Sequence, residues 1–177
     1  HLDVYSYCDL KDALDKHDVA PNQKLIIKDL SIQFLGLSHD SPHTIGFVVE
    51  SDKEKLVYVT DTGYVPNQIK PYIANADHYI FESNHDVEML LNGKYPPWLK
   101  DRVVGPYGHL SNKDASIYLA KLIGEDTKKI ILLHLSHENN TEEKALTTIK
   151  NIFLEYGVDF ENISCAKQNE KSEIIEL

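Results

Sequence analysis

The sequence contains only two cysteines among its 177 residues, Cys8 and Cys165. Zinc knuckles and disulfide frameworks need several cysteines at short spacings, so neither is expected here. No apolar run approaches the roughly 18 residues of a membrane-spanning helix, and the first residues lack the charged-then-apolar pattern of a leader. We therefore expect a soluble, cytoplasmic protein without a membrane partner.

Basic residues are also in the minority, with 18 Lys and Arg against 28 Asp and Glu and a formal net charge of −10. The sequence has no basic stripe of the kind that binds nucleic acid over a broad surface. Divalent cations bound in a site reverse the local charge, however, so the overall balance does not exclude a nucleic acid substrate.

The length and the composition, 42% hydrophobic, are those of one globular domain with a substantial core. There are no internal repeats and no low-complexity linker. We therefore expect a single domain over residues 1–177.

Apolar strand patterns repeatedly end in a polar or histidine-containing tip. The four cases are Ser31–Leu37 with His39, Lys55–Thr60 with Asp61, Asp77–Phe81 with Glu82, and Lys129–Leu133 with His134. Enzymes of the α/β class collect their active-site residues at strand ends, where the sheet holds them rigidly. The pattern predicts a site at one edge of a sheet.

The remaining periodicities predict helices interleaved with strands, which indicates an α/β protein. Further strands are predicted over Leu2–Tyr7, Lys24–Lys28, Thr44–Glu50, Asn162–Ala166 and Glu173–Ile175, and helices over Asp9–Leu14, Pro66–Ala74, Val87–Leu91, Tyr95–Lys100, Ser111–Ile123 and Thr141–Tyr156. His109 directly precedes one of these helix starts, where free backbone N–H groups favour an anion.

Imidazole and carboxylate groups are the ligands of Zn²⁺, Mn²⁺ and similar ions, and a bridging carboxylate can hold two ions. His39, Asp61 and His134 have the required types at strand ends. Because none of them belongs to a tight His-x-x-x-His pair, simpler interpretations stay open. His39 can be a turn histidine, Asp61 a turn cap and His134 a hydrogen-bonded core residue.

Several longer segments carry a family resemblance. They are Ser38-His39-Asp40 with Gly46-Phe47, Val59-Thr60-Asp61-Thr62-Gly63, Glu82-Ser83-Asn84-His85-Asp86, Gly108-His109-Leu110-Ser111-Asn112 and His134-Leu135-Ser136-His137-Glu138-Asn139-Asn140. Together they resemble the metallo-β-lactamase-fold hydrolases, and in detail the YycJ/WalJ group of bacterial exonucleases. The resemblance implies an αββα sandwich that is incomplete at its N-terminal side.

The resemblance also implies a binuclear centre with two divalent ions, Zn or Mn. By this likeness His39 is a ligand of the first metal, Asp61 bridges the two ions and His134 belongs to the second. His43 is an alternative to His39, because it lies closer to Gly46 in sequence.

Three further residues receive catalytic roles from the resemblance. His109 would contact the scissile phosphate and protonate the leaving group, and Glu82 would orient that histidine. His85, together with Asp86, would line the same cleft.

One departure from the family pattern affects these expectations. The signature His-x-His-x-Asp-His motif, which supplies four metal-binding residues, is absent. We therefore expect the chain to represent the C-terminal two-thirds of the domain, and the activity to belong to the parent protein rather than to this exact chain.

The function implied is a metal-dependent phosphodiester hydrolase with a nucleic acid substrate, a DNA exonuclease in preference to an RNA enzyme. Two alternatives stay open: a ribonuclease Z-like or small-molecule phosphodiesterase, and a non-catalytic remnant that serves as an interaction module.

Overall fold

The computed structural model describes residues 3–6, 15–171 and 175, with side chains from residue 19 onward. A small parallel pair joins β1 (Asp3–Ser6) to β2 (Asp15–Asp18). The main sheet has seven strands that lie side by side in chain order. They are β3 (Lys24–Ile27), β4 (Leu30–Gly36), β5 (Ile45–Glu50), β6 (Lys55–Val59), β7 (His78–Glu82), β8 (Lys129–Leu133) and β9 (Ile163–Cys165).

Five helices connect or cover these strands within the described part of the chain. They are α1 (Lys70–Ile73), α2 (Val87–Asn92), α3 (Pro97–Val104), α4 (Asn112–Leu122) and α5 (Glu142–Glu155). Asp86, Ser111 and Thr141 cap α2, α4 and α5, because each side-chain oxygen accepts a hydrogen bond from a backbone N–H of the first turn. Among the described residues no helix is long and apolar enough to cross a membrane.

Strand direction determines where the polar tips meet. The strands β4, β5 and β6 pair antiparallel, whereas β6, β7, β8 and β9 pair parallel. The strand β4 therefore runs in the same direction as β6, β7 and β8. All four strands end at the same edge of the sheet, which is the edge that carries the four predicted tips.

The core lies between one face of the main sheet and the helices α1, α4 and α5. The pairing register aligns Val57, Tyr79 and Ile130 in one row and Val59, Phe81 and Leu132 in the next. All six side chains are buried, and they pack against a helical layer formed by Ile73, Ala115, Leu119, Leu122, Ala145, Ile149 and Phe153. This packing fixes the strand ends and hence the groups that follow them.

The predicted α/β class is confirmed, because helices alternate with the strands of one mixed sheet. The helix predicted over Pro66–Ala74 is shorter, because residues 67–69 form a turn and only Lys70–Ile73 is helical. The polar strand β2 was not predicted, since its sequence has no apolar alternation. The predicted helix Asp9–Leu14 and most of the predicted strand Glu173–Ile175 lie outside the described residues.

Tyr79 ties α1 and α4 to the sheet. Its buried hydroxyl accepts a hydrogen bond from Ala76 N–H at 3.1 Å and lies 2.8 Å from the carbonyl oxygens of both Ile73 and Leu122. We predict that Tyr79→Phe lowers the free energy of unfolding by about 1–3 kcal/mol, because it leaves these buried groups unpaired.

Urea denaturation measures this change. Tyr72→Phe removes a hydroxyl from a residue that is 46% exposed, so it should change stability by less than about 0.5 kcal/mol. Equal effects of the two variants would contradict the assigned role of Tyr79.

Candidate metal centre

Four side chains meet at the common edge of the sheet. One ligand atom from each of Asp61, Glu82, His109 and His134 lies within 4.8 Å of the other three. Asp61 follows β6, Glu82 ends β7 and His134 follows β8, while His109 lies in the loop between α3 and α4. Carboxylates and imidazoles within this distance form a donor set that suits a divalent metal ion.

Glu82 is the buried centre of the cluster. Its Oε1 atom lies 2.7 Å from His109 Nδ1 and 2.8 Å from His134 Nδ1, so one carboxylate oxygen contacts both imidazoles. Its Oε2 atom accepts hydrogen bonds from the backbone N–H groups of Thr62, at 2.9 Å, and Leu110, at 3.3 Å. The side chain is fully buried.

These contacts determine the charge of Glu82 and the tautomers of its partners. Burial alone would raise the pKa of Glu82, but the hydrogen bonds from His109 and His134 outweigh it and lower the pKa to about 2. The ionised carboxylate can only accept, so both Nδ1 atoms carry hydrogen. In the neutral imidazoles the Nε2 lone pairs are then available to a metal or a substrate.

His39 lies beside this cluster. Its Nδ1 atom donates to the carbonyl oxygen of Gly108 at 3.0 Å, which leaves Nε2 as the acceptor atom. That Nε2 atom lies 4.0 Å from Asp61 Oδ1. Two ligands of one tetrahedral zinc ion are separated by about 3.4 Å, so a small adjustment allows both atoms to contact one ion. The alternative, His43, lies in the exposed turn between β4 and β5.

Asp61 and His134 have backbone φ angles of 58° and 61°, in the left-handed region that side chains other than glycine rarely adopt. For Asp61, neighbouring hydrogen bonds hold the loop: Thr62 N–H bonds to Glu82, and Gly63 N–H bonds to the Ser38 carbonyl at 2.9 Å. Strained conformations of this kind are concentrated at functional sites.

Gly63 allows a close approach of two loops at this position. A Cβ atom there would lie 2.4 Å from the Pro106 carbonyl oxygen. Only glycine therefore lets the loop that carries Asp61 pack against residues 105–106.

His85 and Asp86 are close to the site, but His85 is buried and Asp86 caps a helix. The ring of His85 is only 1% exposed, and its Nδ1 atom has no hydrogen-bond partner. Burial lowers the pKa of His85 to about 4, and the neighbouring His109 contributes to the shift, so the ring is neutral near pH 7. Asp86 accepts from Met89 N–H as the cap of α2. The catalytic role of His85 stays a prediction.

A buried amide network behind the site had no predicted role. Asn112 and Asn140 pair through two side-chain hydrogen bonds of 2.8 Å, and Ser83 donates to Asn112 at 2.7 Å. Asn84 donates to the backbone carbonyl of His134 at 2.9 Å, which fixes that residue's backbone. One sequence signal for this network was available: polar residues surround Glu82, His109 and His134 in the sequence. Polar side chains that are buried near strand ends need hydrogen-bond partners, so such residues can be expected to pair with one another.

A cleft opens beside the cluster. A cavity of about 330 Å³ is bordered by His109 and His134 of the cluster and by Tyr95, Leu99 and Arg102, among others. Arg102 donates two hydrogen bonds to Asp40, the neighbour of His39, and these bonds lower the pKa of the Asp40 carboxyl.

The sheet, its helical layer and the His/Asp/Glu cluster at the strand ends define a metallo-β-lactamase-type protein. The chain belongs to the β-lactamase superfamily: residues 3–135 match the family described as "Beta-lactamase superfamily domain".

Two curated relatives are exodeoxyribonucleases. YycJ of Bacillus anthracis is 40% identical over 129 residues, which cover 73% of this chain and 49% of the relative. WalJ of Streptococcus pneumoniae is 39% identical over 153 residues, which cover 84% of this chain and 57% of the relative. The chain thus spans about half the length of these proteins.

Solved structures share the fold at low sequence identity. The metallo-β-lactamase fold protein YhfI from Bacillus subtilis superposes with a TM-score of 0.62 at 20% identity, over 86% of this chain and 53% of that one. Zn²⁺-bound PqqB from Methylobacterium extorquens gives a TM-score of 0.56 at 18% identity, over 86% of this chain and 50% of that one.

The two-histidine contact of Glu82 yields a testable prediction. In Glu82→Gln an amide oxygen can serve either the two imidazoles or the two backbone N–H groups, and the amide NH₂ then faces the other pair. The result is a donor–donor clash or a switch of both histidines to the Nε2–H tautomer, which cannot bind a metal through Nε2. We predict about a 10- to 100-fold loss of divalent-metal affinity.

Calorimetric titration with Zn²⁺ measures this affinity, and urea denaturation shows whether the variant is folded. Glu88→Gln, an exposed residue in the first turn of α2, is the matched control and should bind metal like the unaltered chain. An affinity within about twofold of the unaltered chain would show that Glu82 does not position the ligands.

Proposed function

We propose that the protein is a metal-dependent phosphodiester hydrolase that degrades DNA as an exonuclease. Both curated relatives described above are exodeoxyribonucleases, and they are 39–40% identical to this chain. The observation that carries the proposal is the convergence of His39, Asp61 and His134 at one edge of the sheet, with His109 and His134 held by one buried carboxylate.

In this proposal the ligands divide between two divalent ions, Zn²⁺ or Mn²⁺. His39 would hold the first ion through Nε2, Asp61 would serve as the bridging carboxylate, and His134 would hold the second ion. When bound, such ions activate water and stabilise negative charge on a phosphate. The Gly108 carbonyl oxygen holds Nδ1 of His39, and the Glu82 carboxylate holds Nδ1 of His134. The Nε2 lone pair of each ring therefore remains available for a metal ion.

His109 is proposed as the general acid. Glu82 holds its Nδ1–H at 2.7 Å and fixes the ring, so that a proton carried on Nε2 can pass to the departing sugar oxygen. The centroid of the His109 ring lies 4.8 Å from that of His39 and 5.0 Å from that of His134. If the scissile phosphate is held near His39 and His134, its leaving oxygen would therefore lie within reach of the His109 ring.

The proposal is tested by metal content and nuclease activity. This chain and the longest polypeptide that its native reading frame encodes are purified, analysed for bound metals and incubated with end-labelled DNA and RNA. Release of mononucleotides from DNA ends with Mn²⁺ or Zn²⁺, suppressed by a chelator, is the expected result. Preference for RNA would favour a ribonuclease. Absence of metal and of cleavage in both polypeptides would favour a non-catalytic module.

Asp61→Asn separates a bridging carboxylate from a turn cap. Asparagine tolerates the left-handed backbone of this position, so the fold should be retained, but its neutral amide cannot bridge two cations. We predict that the polypeptide active on DNA loses one of its two metals and its activity. Asp52→Asn, an exposed change in the β5–β6 turn, is the control. Retention of two metals per chain by Asp61→Asn would refute the bridging role.

The acid role of His109 predicts a dependence on the leaving group. In the active polypeptide, His109→Ala should reduce cleavage of DNA by about 10²- to 10⁴-fold. It should reduce cleavage of a nucleoside p-nitrophenyl phosphodiester much less, because nitrophenolate departs without a proton.

His137→Ala serves as the control, since that side chain is 87% exposed and lies next to the same cleft. Equal losses on both substrates in His109→Ala would indicate a role in metal binding or folding instead of proton transfer.

A further inference from the structure

Residues 91–107, here called the α3 rim, expose several large apolar side chains, and other residues of the same segment border the cleft. Leu91, Trp98, Val104 and Tyr107 are 58%, 67%, 51% and 61% exposed. Exposure of one such residue is ordinary, but four within a 17-residue segment that also borders a cleft indicate a binding surface.

The same rim is locally basic in an acidic protein. It contains Lys94, Lys100 and Arg102 but only one acidic residue, Asp101, whereas the whole chain has a formal charge of −10. Interleaved cations and aromatic rings suit a ligand that has both negative charge and flat apolar faces. Nucleic acid has this combination, because its phosphates are charged and its bases stack.

The rim continues directly into the candidate metal centre. Leu99, Arg102 and Val103 of α3 border the cavity that also contacts His109 and His134. Trp98 precedes Arg102 by four residues, so the two side chains are neighbours on the helix surface. Asp40 holds the Arg102 guanidinium, and the backbone N–H of Asp40 donates to the Tyr107 carbonyl oxygen at 3.0 Å. The rim and the His39 loop therefore form one connected wall.

The rim is also rigid at its start. Pro96 and Pro97 open α3, and Lys100 Nζ donates to the Leu91 carbonyl oxygen at 2.6 Å, which ties α3 back to the end of α2. Trp98 thus projects from a fixed support, and a base that stacks on it loses little protein entropy.

We propose that the α3 rim binds single-stranded nucleic acid, with Trp98 as a stacking platform for a base next to the strand segment that enters the metal centre. This proposal rests on the proposed nuclease function and specifies how its substrate is held. A single strand is favoured over a duplex because an unpaired base can expose its face to Trp98, whereas duplex bases are already stacked on one another.

Fluorescence tests the proposal directly, since Trp98 is the chain's single tryptophan. The chain is titrated with a short oligothymidylate in a chelator at low ionic strength, so that no cleavage occurs. We expect saturable quenching by the single strand, and at least about tenfold weaker binding of a blunt duplex of the same length. Quenching by the duplex at equal concentrations would overturn the single-strand specificity.

Variants then test the stacking contact, with binding followed by the anisotropy of a labelled oligothymidylate. Trp98→Ala should weaken binding by about 10- to 100-fold, whereas Trp98→Phe, which retains a ring, should lose less than about fivefold. Leu154→Ala removes a side chain that is 80% exposed on α5 and is the control for loss of apolar surface. Unchanged binding in Trp98→Ala would overturn the proposal, as would equal weakening in Trp98→Phe.

The metal-free design separates this proposal from the proposed function. Quenching of Trp98 by the single strand, together with no cleavage by any metal-loaded form, would refute the nuclease and leave the binding surface in place. Cleavage of DNA without quenching would support the nuclease and refute the platform. If only a protein or peptide ligand were found to occupy the rim, the single-strand proposal would fail.

Discussion

The candidate metal centre depends on one buried charge, the carboxylate of Glu82. Placing an ionised carboxylate in a protein interior costs several kcal/mol unless hydrogen bonds replace its water. Here four donors replace it: His109 and His134 at one oxygen, Thr62 N–H and Leu110 N–H at the other. These donors come from the loops after β6 and β8 and from the segment before α4. All three segments must be folded before the buried Glu82 carboxylate has its four donors. Folding of the chain and assembly of the site are therefore coupled.

The same contacts account for the strained backbone at the site. A non-glycine residue in the left-handed region costs about 1–2 kcal/mol, and the site contains two such residues, Asp61 and His134. The Glu82 contacts of Thr62 N–H and of the His134 ring offset this cost. The strain is useful if both residues must direct their side chains toward a common point from β6 and β8, two parallel strands separated by β7. In the regular strand conformation each side chain would point to one face of the sheet instead.

The residues at the strand ends show how much of the fold and of the candidate metal centre could be predicted from the sequence. The strand over Lys129–Leu133 has the predicted bounds, and His39, Asp61, Glu82 and His134 follow or end the strands as expected, because apolar runs and turn residues are local signals. The second contact of Glu82, with His134, depends on the register of β7 against β8, where Glu82 faces Leu133. Pairing register across about fifty residues has no local signature. The polar strand β2 escaped prediction for the same reason, since only its partner β1 defines it.

Charge at short range decides how an acidic protein can accept an acidic polymer. At physiological ionic strength the Debye length is about 8 Å, so exposed carboxylates on remote surfaces repel a phosphate only weakly. The charges that act on a strand near the site are those at its walls: Lys94, Lys100 and Arg102 on the rim, and divalent ions if they are bound between His39, Asp61 and His134. Arg102 is already neutralised in part by Asp40. Electrostatic attraction of a phosphate to the rim would therefore be modest, and in the proposed complex base stacking would supply much of the affinity. In the proposed binding mode the strand would therefore be held mainly by its bases near the entrance, and by its phosphate only at the metal centre.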